Sequence, residues 1–124
     1  MPSYAAPVKD IKFILKNVLK IHESEIPGYD ELDNEYLNAI LEEASKISSE
    51  ILAPLNAIGD DHGCSFENGI VYTPPGFKEA FDQLKDGGWT GIDCDVKFGG
   101  QGLPYLISIA VGEMFASANM ALGM

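Results

Sequence analysis

The sequence predicts an all-α domain of four main helices with one small β-hairpin, and three observations carry that reading. Apolar residues return at helical spacing in four separate stretches. Asn68-Gly69 stands between Phe66 and the β-branched pair Ile70-Val71, a strong short-range signal for a hairpin turn. Proline and glycine fall at the borders of these stretches, where helices start and stop.

The first helix is read from Ile11, Ile14, Leu15, Val18 and Leu19, which fall at i, i+3, i+4, i+7 and i+8 and form one apolar stripe. Asp10 is placed to cap its N-terminus, and Lys12, Lys16 and Lys20 face outward. Ile26-Pro27-Gly28-Tyr29 breaks the pattern, and the acidic segment Asp30 to Asp33 leads into the longest helix. There Tyr36, Leu37, Ile40, Leu41, Ala44, Ile47, Ile51 and Leu52 keep the 3.6 period. Pro54 lacks the N–H and its ring conflicts with the turn before it, so a kink or stop is expected there, with Leu55 and Ile58 extending the chain to Gly59.

Thr73-Pro74-Pro75 sets up a third helix with Phe77, Ala80, Phe81 and Leu84 on one face, and Gly87-Gly88 ends it. Trp89 follows and is expected to anchor that corner. From Leu106 to Phe115 the residues are apolar almost all round, the pattern of a helix buried on every side.

A chain of 124 residues is long enough for one domain, since a domain of this size buries roughly two-thirds of its unfolded surface. The longest apolar run is too short for a membrane span. Eight lysines, no arginine and nineteen acids give a formal charge of −11, which argues against nucleic acid as a partner. Without arginine, the bidentate guanidinium grip on phosphate is missing. Cys64 and Cys94 match neither a zinc spacing nor a disulfide framework and read as reduced thiols in a cytoplasmic protein. No basic segment followed by an apolar one opens the chain, so no secretory signal is expected.

Few residues suggest chemistry. Gly99-Gly100-Gln101-Gly102 lacks the GK[ST] ending of a phosphate loop and reads as a tight turn requiring positive φ. Glu42 and Glu43 are about a hundred degrees apart on a helix and cannot act as one carboxylate pair. Asp60-Asp61-His62 reads as a charged helix end rather than a metal site, and His22 as a surface histidine. No Ser/His/Asp or Cys/His set can be assembled. Glu113 is the lone charge of the last helix and must reach water or find a partner.

Three segments together carry a family resemblance: YAAPVKDIKFIL (Tyr4 to Leu15), ILAPLNAIGDDHGCSFENGIVYTPPGFKEA (Ile51 to Ala80) and FGGQGLP (Phe98 to Pro104). They resemble the N-terminal helical domain of FAD-dependent acyl-CoA dehydrogenases, most of all the large bacterial branch that includes 3-methylmercaptopropionyl-CoA dehydrogenase. In that family a glutamate removes the α-proton of an acyl-CoA while the β-hydride passes to FAD. The resemblance implies that the catalytic glutamate and most flavin contacts lie outside these residues, so no catalytic residue is expected here and the chain alone is expected to be inactive and not to retain FAD. It further implies that Val111, Met114 and Ala118 line an apolar tunnel for the acyl tail, with Glu113 near the far end of that pocket. Read without the resemblance, the same apolar residues are core and Glu113 is a structural surface glutamate. Asp93 to Lys97 replaces the proline and acid that the family commonly carries before the aromatic-Gly-Gly motif. Two other classes stay open: a non-catalytic interaction module using its apolar last helix, and a truncated enzyme kept as a structural or regulatory subunit. Self-association through the apolar C-terminal segment, at or beside Met114, Phe115 and Met120, is expected when the chain is alone.

Overall fold

The computed structural model describes residues 3–124, with Met1 and Pro2 outside the described residues. In order along the chain come α1 (Val8–Phe13), α2 (Asn34–Ile47), α3 (Ala53–His62), β1 (Ser65–Glu67), β2 (Ile70–Tyr72), α4 (Phe77–Asp86) and α5 (Tyr105–Gly123). Because α2 passes through a wide turn at Ser48–Leu52 straight into α3, the helices form four bodies, as the periodicity predicts.

The first body departs from its expected stripe. It starts at Val8 behind Pro7, with no side-chain cap, and Asp10 sits inside the first turn, where its charge favours the positive helix end. Ile14–Val18 is a π-helical turn, in which the Leu19 N–H reaches the Ile14 carbonyl five residues back. Each π turn holds more residues than an α turn, so the stripe rotates away from the core. Ile11 and Leu15 stay buried, whereas Ile14, Val18 and Leu19 come out to solvent. Lys20 ends the segment in the left-handed region at φ 48°.

Asp33 caps the second body, its carboxylate accepting the Tyr36 N–H at 2.7 Å. Leu37, Ile40, Leu41, Ala44 and Ile47 then repeat on the buried face, while Tyr36 stays half exposed. Pro54 neither stops nor breaks this body. The helix widens just before it, the Ala53 N–H donating to the Ser48 carbonyl five residues back, and this makes room for the ring and absorbs the missing N–H. Ser48 and Ser49 assist by bonding back to the Ala44 and Ser45 carbonyls at 2.8 and 3.0 Å, a contact that bends helices. Helical backbone therefore continues past Gly59 to His62.

The hairpin follows the sequence reading. Asn68 and Gly69 both have positive φ, 52° and 81°, as a type I′ turn requires, and Glu67 pairs with Ile70 across it. Its two strands stand in solvent throughout. Gly76 then turns at φ 84° into α4, a conformation that favours glycine, and it packs close to the Leu55 side chain. On α4, Ala80 and Leu84 are buried, but Phe81 is half exposed instead of joining their face.

Between α4 and α5 the chain folds back on itself. The N–H groups of Gln101, Gly102 and Leu103 donate to the carbonyls of Gly91, Cys94 and Ile92. A Cβ on Gly100 would lie 2.1 Å from the Cys94 carbonyl oxygen, so only glycine allows this approach.

Two clusters make up the core. The larger joins Ile11, Leu15, Leu37, Leu41, Ile107 and Met114 with their neighbours, and the smaller joins Ile47, Leu52, Leu84 and Ala118. Trp89 and Phe115 pack against both, and their rings meet edge to face at 5.8 Å. Trp89 thus anchors the corner expected of it.

Helix α5 is broken by Asn119, whose backbone leaves helical values (φ −160°, ψ 89°). Its buried side chain donates to the Leu52 carbonyl at 3.2 Å and accepts the Leu122 N–H at 3.1 Å, so one amide ties α5 to the wide turn and caps the final turn. Replacing Asn119 with Ala removes both bonds. The loss is expected to lower unfolding free energy by about 2 kcal/mol, read from the urea midpoint with an unchanged denaturant slope.

Candidate functional site

The residues singled out from the sequence all lie on α5, and its construction decides what they can do. Pro104 precedes the first turn, and the helix then presents two unlike faces. Ile107, Ala110, Val111, Met114 and Ala118 point inward, with Met114 fully buried at 0% exposure. Outward lie Tyr105, Ile109, Gly112, Glu113 and Met120, with Ile109 48% and Met120 60% exposed. The expectation of a helix buried on every side is therefore corrected, because the surrounding helices cover only the inner face.

Val111 and Met114 belong to the larger core cluster and meet the domain's own packing, not an open cavity. Met114 itself offers no surface to a second copy, whereas Met120 beside it on α5 is exposed. Ala118 differs, since it borders a cavity of about 540 Å3 together with Tyr4, Asn56, Asp60 and Ser117. That lining is mixed, with a carboxylate, an amide and hydroxyls, and suits a polar group better than a hydrocarbon chain. The Tyr4 hydroxyl is buried there without a hydrogen-bond partner among the described residues. A more apolar groove of about 320 Å3 lies between α4 and the end of α5, lined by Thr73, Phe77, Phe81 and Leu122. Glu113 stands apart from both, on the exposed face.

By length and composition α5, at 19 residues, is apolar enough to cross a membrane, a test that the core helix of a soluble protein also meets. Here its apolar inner face is committed to the core, and Glu113 interrupts the outer one.

The glycine loop behaves as a turn. Gly99 and Gly102 adopt φ of 88° and 66°. The N–H groups of Gly100, Gln101 and Gly102 are taken by the carbonyls of Asp95, Gly91 and Cys94, so they are not free to cradle a phosphate. With no arginine in the chain, these residues do not fit a flavin pyrophosphate.

Other charged residues stay on the surface. Glu42 accepts from Lys12 at 2.6 Å, and Glu43 is exposed. The His62 ring bonds to the Ile58 carbonyl one turn back, at 3.1 Å, and His22 meets Asn34 at 3.1 Å. Hydrogen bonds from Lys78 and Lys85 hold the Asp82 carboxyl below its usual range, on the solvent side of α4. Sequence reasoning missed Asn119, although a polar side chain between Ala118 and Met120 in so apolar a helix is a readable signal.

Comparison with known proteins places the chain in context. It is 37% identical over 123 residues to 3-methylmercaptopropionyl-CoA dehydrogenase of Ruegeria pomeroyi, covering 98% of this chain and 21% of that protein. It is 30% identical over 132 aligned positions to butyryl-CoA dehydrogenase of Syntrophomonas wolfei, covering 98% of this chain and 21% of the relative. A broad-specificity linear acyl-CoA dehydrogenase of Mycobacterium tuberculosis matches at 26% identity over 127 residues, covering 100% and 21%. No protein-family model matches the chain. The chain spans about a fifth of the length of the curated relatives it matches, and along nearly all of its own length it is related to acyl-CoA dehydrogenases.

The two faces of α5 predict opposite responses to substitution. Met114→Ala leaves a cavity in the core and is expected to cost about 2–5 kcal/mol in chemical denaturation. Glu113→Gln, on the open face, is expected to change stability by less than about 0.5 kcal/mol in the same assay.

Proposed function

We propose that residues 1–124 form one domain, the N-terminal helical domain of a flavin-dependent acyl-CoA dehydrogenase, and that α5 contributes a wall of the acyl pocket. The observation that carries this reading is the similarity to three acyl-CoA dehydrogenases along 98% or more of the chain. The division of α5 supports it. Val111, Met114 and Ala118 hold the wall from the core side, and the outer face, with Ile109, Gly112 and Glu113, borders the acyl tail.

On this reading the substrate is an acyl-CoA, the proton-abstracting base and the flavin belong to the rest of such an enzyme, and the enzyme works in the cytoplasm. The chain alone is inactive and does not keep FAD. Protein purified with added FAD is expected to show no stoichiometric flavin absorbance, and a yellow complex bleached by acyl-CoA would overturn that.

Grafting tests the reading directly. These 124 residues, put in place of the matching segment of the Ruegeria enzyme, are expected to give a chimera that keeps FAD and oxidises its acyl-CoA. A folded, flavin-loaded chimera without that activity would count against the proposal. Gly112 sharpens the test, because a Cβ there meets nothing within 4 Å. Gly112→Leu is expected to leave the isolated domain as stable or to raise its stability by up to about 1 kcal/mol. In the chimera the same change is expected to lower kcat/KM by filling the pocket.

A second reading, a non-catalytic interaction or regulatory module, is favoured by the exposure of Ile109 and Met120 on one helix face. Light scattering of the parent and of Ile109→Glu tests it. Association abolished by the substitution supports this reading, and a monomeric parent at micromolar concentration removes self-association from it.

A further inference from the structure

The hairpin turn carries a chemistry that the proposed function does not use. Asn68 is the one asparagine of six followed by glycine; the other five, Asn17, Asn34, Asn38, Asn56 and Asn119, lie in helical segments and precede residues with side chains. Asn68 and Gly69 are both exposed, and a Cβ on Gly69 would meet nothing within 4 Å. Among the described residues, neither the Asn68 side-chain amide nor the Gly69 N–H has a hydrogen-bond partner. Nothing in the core holds the turn shut. All six strand residues are exposed, Phe66 at 71%, and a two-stranded hairpin without a packed face is marginally stable in water.

We propose that Asn68 is a site of spontaneous deamidation through a cyclic imide. The Gly69 nitrogen attacks the Asn68 side-chain carbonyl carbon, forming the new C–N bond as the bond from Cγ to Nδ2 breaks. The proton lost from the Gly69 nitrogen leaves with the departing ammonia. Solvent water then opens the imide at either carbonyl and gives a mixture of aspartate and its β-linked isomer at position 68. Glycine favours the attack because it lacks a Cβ to obstruct the carbonyl carbon and leaves the backbone free to rotate into line. Brief opening of the hairpin supplies the geometries that the closed turn does not. The β-linked product adds a backbone carbon to a loop that must be two residues long, so the Glu67–Ile70 pairing is lost with it.

Peptide mapping of the whole chain, held folded in mildly alkaline buffer beside a urea-unfolded sample, tests the site. Conversion at position 68 in the folded protein is expected to run several-fold faster than at the other five asparagines and to yield both isomers. Persistence of Asn68 in the folded sample, while the unfolded sample converts, would mean the closed turn protects it and would overturn the proposal. A Gly69→Ala variant is expected to slow conversion several-fold in both samples. An unchanged rate, with aspartate as sole product, would indicate direct hydrolysis and overturn the imide route.

Discussion

A proline in the middle of the longest helix sets the constraint around which this domain is arranged. Pro54 has no N–H to give and would crowd the carbonyl one turn earlier, yet the rod must continue, because α2 supplies Leu37 and Leu41 to one cluster while Ile47 and Leu52 serve the other. The wide turn at Ser48–Leu52 resolves the conflict, and the carbonyl of its last residue, Leu52, accepts a side-chain donor from α5. Asn119 takes that carbonyl, and to reach it α5 gives up helical geometry for one residue. Two helix irregularities are thus joined by one hydrogen bond.

That contact also fixes how α5 is presented. With its C-terminal end tied at Leu52 and its middle held by Val111 and Met114, the helix cannot roll, so Gly112 and Glu113 are held outward. On the proposed function, the outer face of α5 needs this kind of fixed bearing more than it needs a particular reactive group.

Much of this was legible because short-range rules dominate where the chain turns. Asn68-Gly69, Gly99 and Gly102 each take backbone angles that few residues adopt, and these turns follow from the sequence at once. Helix existence was equally plain from periodicity in α2 and α4. What stayed hidden depended on partners distant in sequence. Nothing in residues 14–19 announces a π-helical turn, and nothing local says that Ile109 stays half exposed. Local rules weigh the bond that Pro54 loses and so predict a kink or stop there, while helical backbone continues on both sides of it. As for the candidate site, its helix was found but its orientation was not, since a stripe with apolar residues all round gives no inward direction.

One further consequence follows from the edge-to-face pair of Trp89 and Phe115. Trp89 is the sole tryptophan of the chain and it touches both hydrophobic clusters. Its fluorescence therefore reports on both halves of the interior at once, from a single chromophore at their seam. Emission would register any loosening between α4 and α5 yet stay silent while the hairpin opens, so a disagreement between fluorescence and a backbone probe would itself separate the motion of the hairpin from that of the core.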